Sequence, residues 1–312
     1  MHPALSVIFF TVASGAGFGL FSLLFVADFF ALGGGFSREH LLAGGFMALM
    51  LIILGLLSST LHLANPKNAW RAFSRFRTSW LSREGVFAVA FMPLAVGYLA
   101  CIGFDAPAVL RHAFGFLSAA LAWITVFSTG MIYACLKTIR QWNTPLVPAN
   151  YLALGYASGS LLLLLGAVRA GLDATPYVAL AGLIVAIAAV LKAIYYFWIR
   201  SPGLTPTVNT ATGLTRAGVR LFDSGHTHGT FLTEEFGYRL ARRHASVIKV
   251  LLFVVGFALP AVMLAAVLRG NGAEAAAAVA AFAGLAGAVM ERWLFFAEAR
   301  HVVNLYHGAQ RC

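Results

Sequence analysis

Eight long runs of apolar residues divide the 312-residue chain, and they limit its fold more than any other feature. The hydrocarbon core of a bilayer is about 30 Å thick, so a helix needs roughly 20 apolar residues to cross it. The runs are continuous rather than alternating, which favours helices over the strands of a membrane barrel. Hydrophobic residues make up 60% of the chain and charged residues 11%, which is typical of multi-span membrane proteins and not of soluble domains.

The sequence therefore predicts an all-α fold, an integral membrane bundle of eight transmembrane helices in a single membrane domain that covers residues 1–312. The predicted spans are 5–31, 41–61, 85–104, 113–136, 150–168, 176–199, 246–268 and 273–296, with a large polar loop at 201–245. The first run follows no positively charged segment and precedes no clear cleavage site. We therefore expect it to be retained as the first span rather than to act as a signal peptide.

Lysine and arginine residues gather in the connections on one side of the predicted bundle. With an even number of spans, the N-terminus, the even-numbered loops and the C-terminus share one side, and 17 of the 22 basic residues fall there, against four on the other side. The positive-inside rule then predicts cytoplasmic termini and long loops for a protein of the bacterial inner membrane. The net charge of +11 is explained by this topology and by contact with the lipid bilayer, so it does not indicate nucleic-acid binding.

The positions of cysteine and histidine decide whether the chain could hold a redox group by itself. The three cysteines form no CxxC pair, so the chain cannot alone supply the four ligands of an iron–sulfur cluster. A membrane haem usually needs histidines that face each other from two helices, and none of the nine histidines lies deep in a span. We expect no haem; the remaining alternative is one haem at the cytoplasmic edge, where His62, His244 and His301 lie.

The loop before the seventh span offers a divalent metal site as another alternative. His226 and His228 lie two residues apart, near Asp223 and Glu234, and such side chains bind zinc or similar ions. Glycines flank the two histidines, so a flexible loop is the simpler interpretation, and we predict no metal site.

A transporter would carry charged residues or broken helices near the bilayer midplane. The only deep charged residues that the sequence suggests are Asp28 and Lys192, and both lie near span ends, where they can extend toward water or pair locally. No internal repeat is visible. A multi-pass transporter with no redox role is therefore the alternative to the function argued next.

The basic stretch at residues 60–85 places two proton-active side chains at one membrane edge. His62 lies where the second span ends, and Glu84 lies where the third begins. Oxidation of a quinol releases two protons with two electrons; a neutral imidazole can accept the first proton, and a carboxylate at an apolar edge can accept or relay the second. The alternative is structural: His62 would cap the second helix, and Glu84 would pair with Arg83 or another loop arginine. The residue types alone do not decide between these interpretations.

The first span contains a run of small residues, ASGAGFG at positions 13–19. Small residues at this spacing let a neighbouring helix or a flat ligand approach the backbone closely. Helix packing is the commoner role, and the alternative is that Ser14 and Gly15 contact a quinol ring.

Four blocks of sequence together resemble the membrane-anchor subunit of dimethyl sulfoxide reductase, the DmsC-type family. They are MHPALSVIFFTVASGAGFG at the start, SSTLHLANPKNAWRAFSRFRTSWLSREG before the third span, FLTEEFGYRLARRHA in the sixth loop and ERWLFFAEARHVVNLYHG at the end. The resemblance covers essentially the whole chain, with the blocks in the family's order. It implies an eight-helix integral subunit that holds no haem, iron–sulfur cluster or molybdopterin of its own.

The resemblance also implies a function. Such a subunit anchors an iron–sulfur electron-transfer subunit and a molybdopterin catalytic subunit, oxidises menaquinol in anaerobic respiration, and passes the electrons to the nearest cluster. The family's quinol site involves a histidine after the second helix and a glutamate at the start of the third, which correspond to His62 and Glu84; Arg71 between them is a further candidate for quinol binding. Many relatives have glycine two residues after the histidine, where this chain has Ala64.

The side of the membrane that carries the partners follows from the charge count. Members of the family have been assigned both termini outside, whereas the count here places them inside, and we follow the count. We expect the iron–sulfur subunit to contact the basic side, near Glu234, Glu235, Arg239, Arg242 and Arg243.

Overall fold

A computed structural model describes residues 4–60, 65–200, 206–223, 228, 240–270 and 272–312, with backbone only for residues 66 and 240–243. Within this part, eight helices are long and apolar enough to cross a membrane, which confirms the predicted all-α class and the predicted number of spans. We number them α1 (Leu5–Phe29), α2 (Arg38–Thr60), α3 (Trp80–Gly103), α4 (Ala108–Ala134), α5 (Leu146–Arg169), α6 (Thr175–Arg200), α7 (Leu240–Phe253, Val254–Ala258 and Leu259–Leu268) and α8 (Ala273–Ala297).

Helix α1 lies at the centre of the bundle. It packs against α2, α4, α5 and α8, and 83% of its most apolar window is buried inside the protein, against 33% for α2 and α6. Helix α1 is therefore mostly covered by protein, whereas much of the surface of α2 and α6 faces outward, as expected for helices that contact lipid.

The small residues of α1 bring its backbone close to two neighbouring helices. A Cβ atom on Gly19 would lie 2.4 Å from the carbonyl oxygen of Gly155 on α5, so only glycine fits there. A Cβ on Gly15 would lie 3.6 Å from the Gly155 Cα atom, and a Cβ on Gly55 of α2 would lie 2.8 Å from the Ser14 nitrogen. Ser14 is buried and donates its hydroxyl hydrogen to the Phe10 carbonyl at 2.6 Å. These are the contacts of helix packing; quinol binding by Ser14 and Gly15 stays a prediction.

Consecutive helices cross the bundle in alternating directions, which gives the protein two faces. We call the basic face the one that carries the α2–α3, α4–α5 and α6–α7 connections and the C-terminal segment. The other face is held by ion pairs between separate connections and helix ends, including Arg38–Asp105 at 2.7 Å and Arg169–Glu274 at 2.8 Å. Asp28 also lies toward that face, where it accepts hydrogen bonds from Tyr98 at 2.7 Å and from the Arg111 Nε at 2.8 Å.

The C-terminal segment folds back across the basic face. His301 pairs with Ile139 of the α4–α5 connection, and Arg311 pairs with Thr207 of the α6–α7 connection, each in an antiparallel bridge. The Cys312 backbone N–H donates to the Pro206 carbonyl at 3.0 Å. The segment is therefore fixed by backbone hydrogen bonds to two connections that are distant in sequence.

Candidate functional site

Glu84 lies inside a membrane helix rather than before it. Helix α3 begins at Trp80, and not at residue 85 as the sequence predicts, because Ser79 caps it with a side chain that accepts a hydrogen bond from the Ser82 N–H at 3.4 Å. The earlier start places Glu84 in the second turn of α3, with 5% of its surface exposed. The predicted position at the start of the third span is thus close to the observed one, but the carboxyl group is buried.

The partner of Glu84 is a hydroxyl group on the neighbouring helix. Thr129 Oγ1 on α4 lies 2.5 Å from Glu84 Oε1 and 3.1 Å from the Thr125 carbonyl oxygen. A hydroxyl has a single hydrogen to donate, so Thr129 can donate to the carboxylate or to the carbonyl of its own helix. Within the described residues, Glu84 Oε2 accepts no hydrogen bond and Glu84 forms no ion pair.

Arg83, the neighbour proposed above as a structural partner of Glu84, points elsewhere. Its Nε donates to the Phe76 carbonyl at 3.0 Å and its Nη2 to the Arg77 carbonyl at 2.8 Å. Its guanidinium also stacks on Trp80, 4.2 Å from the ring centroid. The Glu84–Arg83 pair that the sequence allowed is therefore absent, because Arg83 fastens the end of the α2–α3 connection instead.

Four further polar atoms of α3, α4 and α5 are buried without a hydrogen-bond partner in the described part of the protein. They are Ser82 Oγ, Ser128 Oγ, Asn150 Oδ1 and Tyr151 Oη, and the Tyr151 ring also contacts Arg292. Leaving a buried donor or acceptor unpaired costs about 1–3 kcal/mol, so most such atoms in native proteins have a partner. All four lie toward the basic-face ends of their helices, as Glu84 does, and each has the capacity to bond to water or to a polar group of a ligand.

An apolar groove of about 510 Å³ lies between the basic-face ends of α4 and α5, and its lining does not include Glu84 or Thr129. Its walls include Phe127, Met131 and Pro148, and the Phe127 ring contacts Trp80 of α3 edge-on, with centroids 6.0 Å apart. Trp123, which stacks on Phe127, is 48% exposed on the outer surface of the bundle. The groove has a volume within the range of small-molecule sites, and it is open to the lipid side.

The other sequence candidates form no hydrogen bond or ion pair with Glu84 where they are described, or they lie outside the described residues. His62 is outside the described residues, so its place relative to Glu84 stays a prediction. Arg71 is exposed in the 3₁₀ segment Pro66–Arg75, with its guanidinium 5.9 Å from the Trp70 ring centroid. Its predicted contact with a quinol also stays a prediction.

The histidines considered for haem or metal binding do not converge where they are described. Among the described residues, no group of three His, Cys, Asp or Glu side chains could hold a metal ion, and His226 and Glu234 lie outside that part of the chain. His244 is exposed at the start of α7. His301 Nδ1 accepts a hydrogen bond from the Val303 N–H at 3.0 Å, and partial burial lowers its pKa below the ordinary histidine value.

A second buried charged cluster, which the sequence pattern did not reveal, lies on α6 and α8. Lys192 pairs with Glu291 Oε1, and Arg292 Nε lies 3.1 Å from Glu291 Oε2. The Lys192 side chain is 1% exposed, that of Glu291 is 0% exposed and that of Arg292 is 4% exposed. The expectation that Asp28 and Lys192 are the only deep charges was therefore wrong. The charge count included Arg292 with the C-terminal segment among its 17 residues, although the predicted eighth span contains it; the structure places Arg292 within α8.

Aromatic rings enclose this cluster. The Lys192 Nζ atom lies 4.1 Å from the Tyr195 ring centroid, and the Arg292 Cζ atom lies 3.5 Å from that of Tyr151. Cation–π contacts of this kind are favourable when the cation is removed from water. The signal in the sequence was Glu291, an acidic residue within the eighth predicted span, which marks a functional or structural site but does not identify its partner.

The fold and the site define an integral membrane protein with a buried carboxyl at its basic face. That carboxyl, on Glu84, accepts a hydrogen bond from Thr129 and forms no ion pair among the described residues. Residues 1–297 match the family described as DMSO reductase anchor subunit (DmsC), and the chain belongs to that family. It is also 32% identical to a subunit of the sulfite dehydrogenase of Allochromatium vinosum, over 98% of this chain and 99% of that protein.

Family membership makes the chain a multi-pass membrane anchor subunit of an oxidoreductase complex, with partner catalytic and electron-transfer subunits. It does not support the alternative of a transporter with no redox role. Asp28 pairs with Arg111 of α4 and Lys192 pairs with Glu291 of α8, so both deep charges are neutralised by residues of other helices.

Proposed function

We propose that this chain is the membrane anchor and menaquinol-oxidising subunit of a molybdopterin oxidoreductase complex, in which Glu84 accepts a proton from the quinol. The observation that carries the proposal is the buried Glu84 carboxyl, which accepts a hydrogen bond from Thr129 and forms no ion pair among the described residues. Its partners would be an iron–sulfur electron-transfer subunit and a molybdopterin catalytic subunit, as in the dimethyl sulfoxide reductase type of anaerobic respiration.

The proposed chemistry uses each part of the site. The quinol ring would enter from the lipid along the groove beside Phe127 while its isoprenoid tail stays in the bilayer. One ring hydroxyl would give its proton to Glu84 Oε2, which accepts no other hydrogen bond in the described structure, while the Thr129 hydroxyl holds Oε1. His62 would take the second proton, and the two electrons would pass to an iron–sulfur cluster of the partner. Neither haem nor a cluster in this chain is needed for these steps.

A second candidate is the same reaction in reverse, with electrons entering the membrane. The relative from Allochromatium vinosum is named as part of a sulfite dehydrogenase, and a dehydrogenase delivers electrons to an acceptor. In that case protonated Glu84 would donate its proton to a quinone that is being reduced. The two directions are separated by measuring, on the same membranes, quinol-dependent reduction of sulfoxides and sulfite-dependent reduction of a quinone analogue.

The proposal is tested by Glu84→Gln in the full complex. The amide keeps an acceptor for Thr129 but cannot take a proton, so we expect quinol-dependent turnover to fall by roughly 10²–10⁴-fold, the usual contribution of a general base. Reduction of the acceptor by an artificial donor that feeds the catalytic subunit directly should be unchanged. Glu274→Gln, which removes an exposed carboxyl on the opposite face, is the matched control.

His62→Ala should likewise lower quinol-dependent turnover and spare the artificial-donor reaction. Normal quinol-dependent rates in both Glu84→Gln and His62→Ala would place the site elsewhere. The next variants would then be at Ser14 and Gly15 on α1.

We further propose that the chain lies in a bacterial inner membrane with its basic face toward the cytoplasm, and that this face binds the iron–sulfur subunit. The support is the 17-to-4 distribution of basic residues between the predicted sides, an excess that loses one residue when Arg292 is reassigned to α8. A cytoplasm-dependent reporter fused after Cys312 should be active. Activity of a periplasm-dependent reporter at the same position would reverse the orientation.

The predicted contact residues for that partner are Glu234, Glu235, Arg239, Arg242 and Arg243, whose side chains lie outside the described part of the structure. Exposed charge pairs contribute about 0–1 kcal/mol each, so single substitutions there should weaken assembly only slightly. Crosslinks from the partner to Arg38 or Arg269 on the opposite face, and none to the basic face, would contradict this placement.

A further inference from the structure

A cavity on the basic face has a volume of about 950 Å³. It lies between the end of α6, the start of α7, the end of α8 and the C-terminal segment. Its lining contains one acidic side chain among the described residues, Glu298, and the basic side chains of Arg140, Arg200, Lys249, Arg300 and Arg311. The cavity is thus strongly cationic, and its volume lies within the range of about 300–1,000 Å³ found for ligand sites.

Only part of this positive charge is balanced within the protein. Lys249 Nζ pairs with Glu298 Oε1 at 2.5 Å, which uses the acidic side chain of the cavity. The side chains of Arg200, Arg300 and Arg311 form no ion pair with any described residue. Three arginines that line one cavity attract an anion, and the planar donors of arginine suit phosphate oxygens.

The backbone fixes two of these arginines in place. The antiparallel bridge between Arg311 and Thr207 holds one wall of the cavity. The Arg300 backbone N–H donates to the Gln141 Oε1 at 3.3 Å, which attaches the opposite wall to the α4–α5 connection. Arg300 and Arg311 therefore approach the cavity from segments that are already ordered, which lowers the entropy lost when an anion binds.

A continuous apolar stripe on α6 leads to this cavity from the membrane. Its residues recur every three or four positions on the outward side of the helix, and they are Leu183, Ile187, Val190, Ile194 and Phe197, between 46% and 80% exposed. Phe197, the most exposed of them, also lines the cavity. Outward residues of α7, such as Val247 and Val254, are 60% and 51% exposed. The cationic cavity therefore lies where the lipid-facing surface ends.

We infer that this cavity is a binding site for an anionic phospholipid, with the phosphate group held by Arg200, Arg300 and Arg311 and the acyl chains lying along the apolar stripe of α6. A basic cavity at the membrane surface favours anionic head groups over zwitterionic ones, because the cationic group of a zwitterionic head group offsets the charge of its phosphate and is repelled by the arginines. The apolar stripe favours a lipid over a free anion or an acidic peptide, since neither of those would contact it. The site is separate from Glu84 and does not depend on quinol chemistry.

The test uses the purified full chain in detergent, titrated with phosphatidylglycerol, with phosphatidylcholine of the same acyl chains, and with inorganic phosphate. Native mass spectrometry measures the bound lipid, and thermal unfolding measures the stabilisation. We expect phosphatidylglycerol to bind and stabilise while the other two do not. Equal binding of phosphatidylcholine would overturn the inference, and so would equal stabilisation by inorganic phosphate, which would assign the cavity to a free oxyanion.

The arginine contacts are tested by the combined variant Arg200→Gln, Arg300→Gln and Arg311→Gln. Each basic residue near an anionic lipid surface is worth about fivefold in affinity, so the apparent Kd for phosphatidylglycerol should rise by roughly 100-fold. The matched control removes three exposed basic residues of the same face that do not line the cavity, Lys67→Gln, Arg75→Gln and Arg77→Gln. The same loss in the control variant, or no loss in the cavity variant, would contradict the assignment.

A second measurement avoids any dependence on the folding of these variants. A photo-crosslinking phenylalanine derivative in place of Phe197, in the assembled complex, should yield adducts with phospholipid. An adduct with a segment of a partner polypeptide, and none with lipid, would show that a protein covers the cavity and would overturn the inference.

Discussion

Two buried glutamates, each at the basic-face end of a membrane helix, have opposite surroundings. Glu291 on α8 contacts two cations, Lys192 and Arg292, and its side chain is fully buried. Glu84 on α3 is 5% exposed, and the partner that the described structure gives it is the neutral Thr129 hydroxyl. The two side chains are of the same type and similarly buried, so the difference between them lies in the charge of their neighbours.

This is the difference we expect between a glutamate with a structural role and one that exchanges protons, as proposed for Glu84. Removing a carboxylate from water is costly, and close cations can offset that cost, so Glu291 is held in one ionised state by its pairs. A carboxyl group without a cation nearby can exchange a proton with a ligand and does not have to break an ion pair to do so. Charged residues inside membranes are functional candidates by default; here the pairing decides which of the two glutamates is the better candidate.

The largest expected effect comes from removing the paired glutamate. Glu291→Gln would leave Lys192 and Arg292 as two buried positive charges without a counter-charge. Breaking a buried ion pair from one side costs about 3–5 kcal/mol. We expect a decrease of this size in the free energy of unfolding, measured by denaturant titration in detergent micelles.

Glu84→Gln is the control for that measurement, since its amide can still accept from Thr129 and leaves no charge behind. Its free energy of unfolding should stay close to that of the native chain, although its quinol-dependent turnover falls. A large loss of stability in Glu84→Gln, or a negligible one in Glu291→Gln, would show that the assignment of roles is reversed.

A smaller effect is expected when the cluster loses one of its two cations. Lys192→Met removes a charge-assisted hydrogen bond but leaves the Glu291–Arg292 pair neutral. Such hydrogen bonds contribute about 1.5–3 kcal/mol, so Lys192→Met should destabilise the chain less than Glu291→Gln. The same unfolding titration gives the comparison. If Lys192→Met is instead the more destabilising variant, Arg292 alone does not compensate for the buried charge of Glu291.

The sequence predicts those features that depend on local composition, namely the membrane spans and the presence of an acidic residue near the start of the third. Apolar runs of about 20 residues specify membrane helices, so the eight spans follow directly, within a few residues at each end. Glu84 is visible in the sequence as an acidic residue at the start of an apolar run. The burial of Glu84 is not visible in the sequence, because Ser79 caps a helix that begins five residues before the predicted span.

The partners could not be predicted, because they depend on how distant helices pack. Thr129 is 45 positions from Glu84, and Glu291 is 99 positions from Lys192. Hydropathy places each residue at a depth in the membrane but does not say which helices are neighbours. The charge count included Arg292 with the C-terminal segment, because basic residues near span ends usually face water, and the sequence does not show that Glu291 and Tyr151 enclose this one.

The smallest predicted effect concerns the hydroxyl that touches Glu84. Thr129→Val keeps the shape of the side chain and removes one hydrogen bond, worth about 0.5–1.5 kcal/mol. If that bond orients the carboxylate for proton transfer, quinol-dependent turnover should fall by roughly 2- to 10-fold, far less than in Glu84→Gln. Thr129→Ser, which keeps the hydroxyl, should retain nearly the full rate.

Thr125→Val is the matched control for this variant. Thr125 lies one turn earlier on α4, is equally enclosed, and donates to the Leu121 carbonyl at 2.7 Å rather than to a carboxylate. Both valine variants lose a buried hydroxyl, so any general effect on α4 appears in both. A drop in turnover confined to Thr129→Val and reversed by Thr129→Ser assigns the effect to the Glu84 contact. Equal rates in the two valine variants would mean that Thr129 does not help to orient Glu84, although Glu84 itself could still be the proton acceptor.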